Sequence, residues 1–175
     1  MLQIRPVSPA DEAACLSLDP SFVTDHVWQM EHKLSASDVQ VHFRTVHLPR
    51  LVKLTPPWPV ESAFRLRRSE DFFILTEEDL QLRGYLYLRN EVAHSLCWVD
   101  HLAVAGPLRR QGRGTSLLEE GRRWARSRGL RGVIVAIQAR NYPAIRFFQK
   151  SGFRYSGYND HYFPRDVAVF FQAEL

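Results

Sequence analysis

Apolar and polar residues change period along this chain, and each change marks an expected element. Residues 1–7 alternate, with Leu2, Ile4 and Pro6 on one face, which predicts a short first strand. Ser8 followed by Pro9 has the form of an N-cap and a first helical proline, so a helix is expected to about Leu18, stopping at Pro20. Residues 21–32 read either way, with Thr24 and Asp25 suited to cap a turn. Clean alternation returns over residues 39–48 and predicts an amphipathic strand with one wet face. Residues 27–33 before it and the polar stretch 34–38 between them make a hairpin the natural pairing. Residues 49–59 carry Pro49, Pro56, Pro57 and Pro59 and are expected to form an irregular loop.

The second half is more regular. A short helix is expected over residues 60–68, then an antiparallel pair, 72–77 and 81–90, about the turn at 78–80. Residues 94–104 predict a long strand. After it Leu117, Leu118, Gly121, Trp124 and Ala125 recur at helical spacing, a stripe that must pack on a sheet, and Gly129 supplies the stop. Residues 133–137, Val-Ile-Val-Ala-Ile, suit a strand covered on both faces. Strands first, then strand, helix, strand, helix, strand, give an α+β fold with a layered sheet of mixed direction.

Composition narrows the function classes. The chain has 175 residues, 45% hydrophobic and 24% charged, which suits one globular domain with a sizeable core. Cys15 and Cys97 are the two cysteines, far apart and without partners in a cluster, so neither a disulfide framework nor a metal site is expected. No apolar stretch reaches membrane-spanning length and no secretory pattern opens the chain, so a cytoplasmic location without membrane attachment is expected. The formal net charge of +4 could serve nucleic acid, but no aromatic-interleaved or recognition-helix motif accompanies it. Its arginines instead concentrate at 109, 110, 113, 122, 123, 126, 128 and 131.

The first three of these fall in Arg109-Arg110-Gln111-Gly112-Arg113-Gly114-Thr115, between the long strand and the helix. A glycine-rich turn at a helix N-terminus presents unpaired N–H groups and the positive end of the helix dipole. Arginines there are unfavourable unless an anion offsets them, although an exposed basic turn is the plain alternative. A P-loop is excluded because no lysine lies in the turn, and a dinucleotide fingerprint because Leu117 stands where its third glycine belongs. Arg109-x-x-Gly112-x-Gly114 resembles the acyl-CoA pyrophosphate loop of the GNAT N-acetyltransferase superfamily. The run from Asn141 through Ala144, Phe147 and Phe148 to Gly152-Phe153 looks like that family's second signature, so the resemblance covers residues 98–153. The tail, residues 157–163 and 167–171, is similar to the ending of streptothricin-acetyltransferase-like members.

The resemblance implies a GNAT-like mixed, largely antiparallel twisted sheet with helices on both faces, and acetyl-CoA as cofactor. Residues 1–90 would form the acceptor-side half of one domain and 91–175 the acetyl-CoA-binding half. It implies that Leu102, Ala103 and Val104 meet the pantetheine arm through their backbone, and that Arg109, Arg110, Gln111, Gly112, Arg113, Gly114 and Thr115 hold the pyrophosphate. Asn141, Ala144 and Phe148 would line the same cofactor, Asn141 also serving as an N-cap. Direct transfer of an acetyl group to a primary amine of a small molecule or protein is implied, by a monomer or homodimer. Phe148 stands where many members carry the tyrosine that protonates the leaving thiolate, so another tyrosine, Tyr142, Tyr155, Tyr158 or Tyr162, is expected to substitute, together with a thiolate that is a tolerable leaving group without specific help. A non-catalytic acyl-CoA sensor is the alternative that this departure favours. Asp100 and His101 are the candidate bases, expected on opposite faces of their strand so that only one reaches the site, with His161 a third. Asp25 and Trp28, with Phe22 and Trp58, are the candidate acceptor-side residues. No covalent nucleophile is expected, Cys97 lacking a readable histidine partner.

Overall fold

The computed structural model describes residues 3–175, so Met1 and Leu2 of the expected first strand lie outside the described residues. The chain runs β1 (Gln3–Pro6), α1 (Glu12–Ser17), β2 (Phe22–Leu34), β3 (Val39–Leu54), α2 (Glu61–Leu66), β4 (Phe72–Glu78), β5 (Gln81–Glu91) and β6 (Leu96–Val104). It continues through α3 (Arg113–Ser127), β7 (Gly132–Gln138), α4 (Tyr142–Lys150), β8 (Arg154–Phe163) and β9 (Asp166–Glu174). Seven strands form one sheet in the order β1-β4-β5-β6-β7-β9-β8, while β2 and β3 form a separate two-stranded sheet. Only β6 and β7 are parallel; the other pairs are antiparallel. The expected α+β class with helices on both faces is therefore what the chain adopts.

Each sheet face has its own core. On one, Leu117, Leu118 and Ala125 of α3 and Ile145 and Phe148 of α4 pack on Leu86, Leu88, Val99, Val135 and Phe171. On the other, Cys15 of α1 and Ala63 of α2 pack on Phe73, Leu75, Tyr85 and Tyr87. The α3 stripe is the one read from its spacing, and Trp124 stacks on Phe72 with ring centroids 5.0 Å apart. β7 is less enclosed than its run suggests: Val133, Val135 and Ile137 are buried, whereas Ile134 and Ala136 on the opposite face are half-buried.

Two segments depart from expectation. The irregular stretch begins after Leu54 rather than at Pro49, because Leu54, Lys53 and Val52 pair with Phe22, Val23 and Thr24. Pro49 is tolerated because it falls in the gap where register shifts between Thr24 and His26, so its missing N–H costs no ladder bond. The ambiguous residues before the hairpin become a long strand for the same reason, since β3 gives them a partner along their whole length. The first helix is shorter than its capping signal suggests. Ser8 N and Oγ each lie 2.8 Å from Asp11 Oδ2, yet residues Pro9–Asp11 form a tight 3₁₀ turn before α1 begins.

β6 and β7 hold together only in part. Leu96–Val99 pair with Gly132–Val135, and beyond these the two strands splay. β6 also carries an extra residue: Tyr87 opposes His101 and Leu88 opposes Val99, so Asp100 has no partner of its own on β5.

Candidate active site

The bulge at Asp100 corrects the expected alternation. Before it, Cys97 and Val99 belong to the α3/α4 core; after it, Leu102 and Val104 do, and Ala103 joins the α1/α2 core. One extra residue thus resets the parity, and Trp98, Asp100 and His101 all line one cavity. Asp100 and His101 do not point to opposite faces, and the site holds both.

That cavity, about 590 Å³, occupies the gap between the splayed strands. It is walled by Asp100, His101, Leu102 and Ala103 of β6, Ala136 and Gln138 of β7, and Asn141, Ala144 and Phe148 near the start and middle of α4. Ser62, Trp58, Arg89, Trp98 and Tyr162 complete it. Arg89 Nε donates to Asp100 Oδ2 at 2.8 Å, and the Arg89 guanidinium lies 5.6 Å from the centre of the Trp98 ring. Burial raises the Asp100 pKa above the usual carboxylate value, with the Arg89 hydrogen bond opposing that rise. Burial lowers the His101 pKa to about 4, so its ring is neutral at pH 7. Tyr162 packs edge-on to Phe170 at 5.5 Å; burial, with the Asp100 charge adding to it, raises its pKa and keeps the hydroxyl protonated.

A second cleft, about 900 Å³, shares Leu102, Ala103, Asn141, Ala144 and Phe148 with the first and continues toward the N-terminus of α3. Val104, Arg109, Arg110, Gly112, Gly114 and Thr115 line it. Gly112 caps the helix with φ 81°, a conformation unfavourable for side chains with a Cβ, and open space lies where a Cβ would project. The N–H groups of Arg113, Gly114 and Thr115 precede the first helical bond, which Ser116 N makes to Gly112 O at 2.9 Å. The backbone can therefore approach an anion closely.

The three arginines of this turn have different surroundings. Arg109 donates to the carbonyls of Val104, Ser21 and Asp19, at 2.9, 2.6 and 3.1 Å, and so builds the wall of the cleft. Arg113 turns to Glu78, 3.1 Å away, and Gln111 Nε2 donates to Pro107 O at 3.0 Å. Arg110 lines the cleft. Two further cations do so from α4, Arg146 and Lys150. Sequence reasoning missed them, although their i, i+4 spacing on a helix that starts beside the cleft was a usable signal. Asn141 Oδ1 accepts from Ala144 N at 3.1 Å, so it is the cap of α4 while facing both cavities.

The other expected residues separate. Tyr155 lies against Trp28 and Phe43, and Tyr158 against Phe43 and His32, under the β2–β3 hairpin and outside both cavities. Of the four tyrosines offered as substitutes for the missing acid, Tyr162 is the one that lines the cavity with Asp100. Tyr142 lines the larger cleft and stacks with His26 at 5.3 Å. Trp28 packs on Phe43 and Phe171 and reaches neither cavity. Asp25 lines the larger cleft and holds His26 Nδ1 at 2.6 Å. Phe22 faces the same cleft, and Trp58 the smaller cavity. His161 is 92% exposed beside Asp160. Ser62, Arg89, Trp98 and Gln138 had no motif to announce them; long-range pairing brings them in. Cys97 is fully buried, and burial pushes its thiol up to about 12, so this side chain is a thiol rather than a thiolate at pH 7.

A parallel strand pair thus parts beside a bulge, a glycine turn feeds a helix at its mouth, and two adjoining openings share part of their lining. The model of the acetyltransferase (GNAT) family matches residues 40–153, and the chain belongs to that family of acyl-CoA-dependent N-acyltransferases. Over 79 residues it is 34% identical to the streptothricin acetyltransferase of Escherichia coli; that match covers 45% of each chain, so the likeness spans under half of the curated relative's length. Among solved structures it resembles a nourseothricin acetyltransferase, with a TM-score of 0.85, 21% identity and 99% and 98% of the two chains covered. It also resembles a putative streptothricin acetyltransferase from Bacillus anthracis in complex with acetyl coenzyme A, with a TM-score of 0.80, 17% identity and both chains covered in full. The ribosomal-protein-S18-alanine N-acetyltransferase of Escherichia coli shares the fold at a TM-score of 0.71 and 15% identity, covering 99% and 94%. Among the described residues, no helix is long and apolar enough to cross a membrane.

Proposed function

We propose that this chain transfers an acetyl group from acetyl-CoA to a primary amine of a small molecule of the streptothricin kind, by direct attack within a ternary complex. The observation that carries this reading is the pair of adjoining openings with shared lining: a cleft ending at the α3 N-terminus, and a smaller cavity lined by Asp100, His101 and Tyr162. The volume near 590 Å³ suits a small molecule or one flexible arm of a larger one. Residues before position 91 supply the Trp58, Ser62 and Arg89 walls, which supports an acceptor role for that half of a single domain.

Acetyl-CoA brings an acyl thioester. The cleft fits its phosphates through the open N–H groups around Gly112 and through Arg110, Arg146 and Lys150, while Arg109 keeps the wall in place. Leu102, Ala103 and Val104 line the route to the acyl end, with Asn141 and Phe148 at the junction of the two openings. Asp100, its basicity increased by burial and its carboxylate oriented by Arg89, takes the proton that the amine must lose. Tyr162, kept protonated, supplies the proton that Phe148 cannot give to the leaving thiolate.

Thiol release from acetyl-CoA with a panel of amines, streptothricin among them, tests this. Turnover is expected to fall at least tenfold in Asp100→Asn and in Tyr162→Phe with unchanged affinity for CoA, the usual scale of acid–base participation being roughly 10² or more. CoA binding without turnover on any amine would favour the sensor reading, for which buried Phe148 is the supporting observation. Parallel double-reciprocal lines would overturn direct transfer.

A further inference from the structure

Ser62 lies 39 positions before His101, on a different element, and its hydroxyl meets the imidazole at Nε2, 3.2 Å away. The same Oγ is 2.8 Å from the Pro59 carbonyl. A serine hydroxyl has one proton, and a carbonyl oxygen only accepts. If that proton went to His101, Oγ and Pro59 O would face each other at 2.8 Å with lone pairs opposed. Both contacts are satisfied in one arrangement: Oγ–H donates to Pro59 O, and His101 Nε2–H donates to Oγ. The neutral ring then carries its lone pair on Nδ1. Among the described residues Nδ1 has no hydrogen-bond partner, and it is not sealed from solvent, so it opens onto the cavity that His101 lines.

We infer that Ser62 is a positioning residue that locks His101 as the Nε2–H tautomer, so that Nδ1 accepts a hydrogen bond from an N–H of the acceptor amine. This rests on the proposed acetyl transfer to an amine. Asp100 and His101 then divide the work that adjacent positions were expected to contest: Asp100 takes the proton, and His101 orients the nitrogen that gives it up. The pair selects acceptors whose neutral amine retains an N–H after giving one proton to Asp100, that is, primary amines over secondary amines and alcohols. Pro59 enters through its carbonyl, which claims the serine proton and so fixes the direction of the chain of hydrogen bonds.

The tautomer is read directly by nitrogen-15 and carbon-13 NMR of the His101 ring, assigned by comparison with His101→Gln, in the intact protein without ligand. The expected spectrum is that of a neutral ring protonated at Nε2; a ring protonated at Nδ1 overturns the inference whatever the activity. Ser62→Ala is expected to raise KM for the amine about tenfold, the scale of one hydrogen bond, while KM for acetyl-CoA stays unchanged. Ser62→Thr keeps the hydroxyl and is expected to recover the amine KM. An unchanged amine KM in a folded Ser62→Ala protein overturns the orienting role. Wild-type protein that transfers to no amine defeats the proposed function instead, and leaves the tautomer result standing on its own.

Discussion

Replacing His101 by glutamine isolates a pH-dependent contribution to stability. The glutamine amide keeps an N–H near Ser62 Oγ but does not titrate. In the folded chain burial holds the His101 pKa down at about 4, against 6.5 for the ordinary imidazole. Between those values the unfolded chain binds a proton that the folded chain refuses, so protonation favours unfolding. The stabilisation is present in full above pH 6.5 and is lost as pH falls toward 4. At pH 5 the ratio of binding polynomials is roughly 30, a loss of about 2 kcal/mol relative to neutral pH. Urea unfolding of wild type and His101→Gln, compared near pH 7.5 and pH 5, reads this as a difference of differences. The other titrating groups are common to both proteins and cancel. Wild type is expected to lose about 2 kcal/mol more than the variant over that interval. Equal losses would refute the claim that folding removes this imidazole from water.

Gly112→Val forces a β-branched residue to φ 81° and places its side chain against the α3 N-terminus, so KM for acetyl-CoA is expected to rise roughly tenfold or more with the fold retained, as initial-rate kinetics would show. Gly84→Ala sets a Cβ 2.7 Å from the Ala103 carbonyl, where backbone must shift, and is expected to cost about 1–3 kcal/mol, measured by chemical denaturation. Phe148→Tyr, made in a Tyr162→Phe background, puts a hydroxyl at the junction of the two openings; partial recovery of turnover is expected, and a folded double variant with none would move the acid elsewhere. The proposed base role requires Asp100 to be ionised, so kcat/KM is expected to fall with decreasing pH at a midpoint above the ordinary carboxylate range, and a midpoint near the usual value would contradict that role or its burial.

The turn and helices proposed to hold the cofactor were legible because their signals are local. A glycine turn, a strand before it and a helical stripe after it lie within a few residues of one another, and backbone geometry follows from them. Asn141 declared itself by the same logic, a cap before Tyr142-Pro143. The cavity proposed for the acceptor was not legible, because its walls come from Ser62, Arg89, Trp98, Gln138 and Tyr162, on separate elements joined by sheet pairing. The strand over residues 49–54 was hidden by Pro49, whose effect depends on whether a partner requires its N–H. The face of His101 was hidden more deeply. Alternation assumes an unbroken ladder, and nothing in Val99-Asp100-His101-Leu102 states that β5 supplies one residue fewer there.

That missing partner at Asp100 works as a frameshift in the strand. Residues on its two sides obey the same alternation with opposite phase, so the core packing of Cys97 and Val99 and that of Leu102 and Val104 are set independently. Deleting Asp100 would therefore do more than remove a carboxylate. It would rejoin the two phases into one, leaving Val99 next to His101 on an unbroken ladder. A single strand would then present one polar group to the cavity where it now presents two in succession. Two polar groups that an unbroken strand would send to opposite faces are presented side by side by adjacent residues of one.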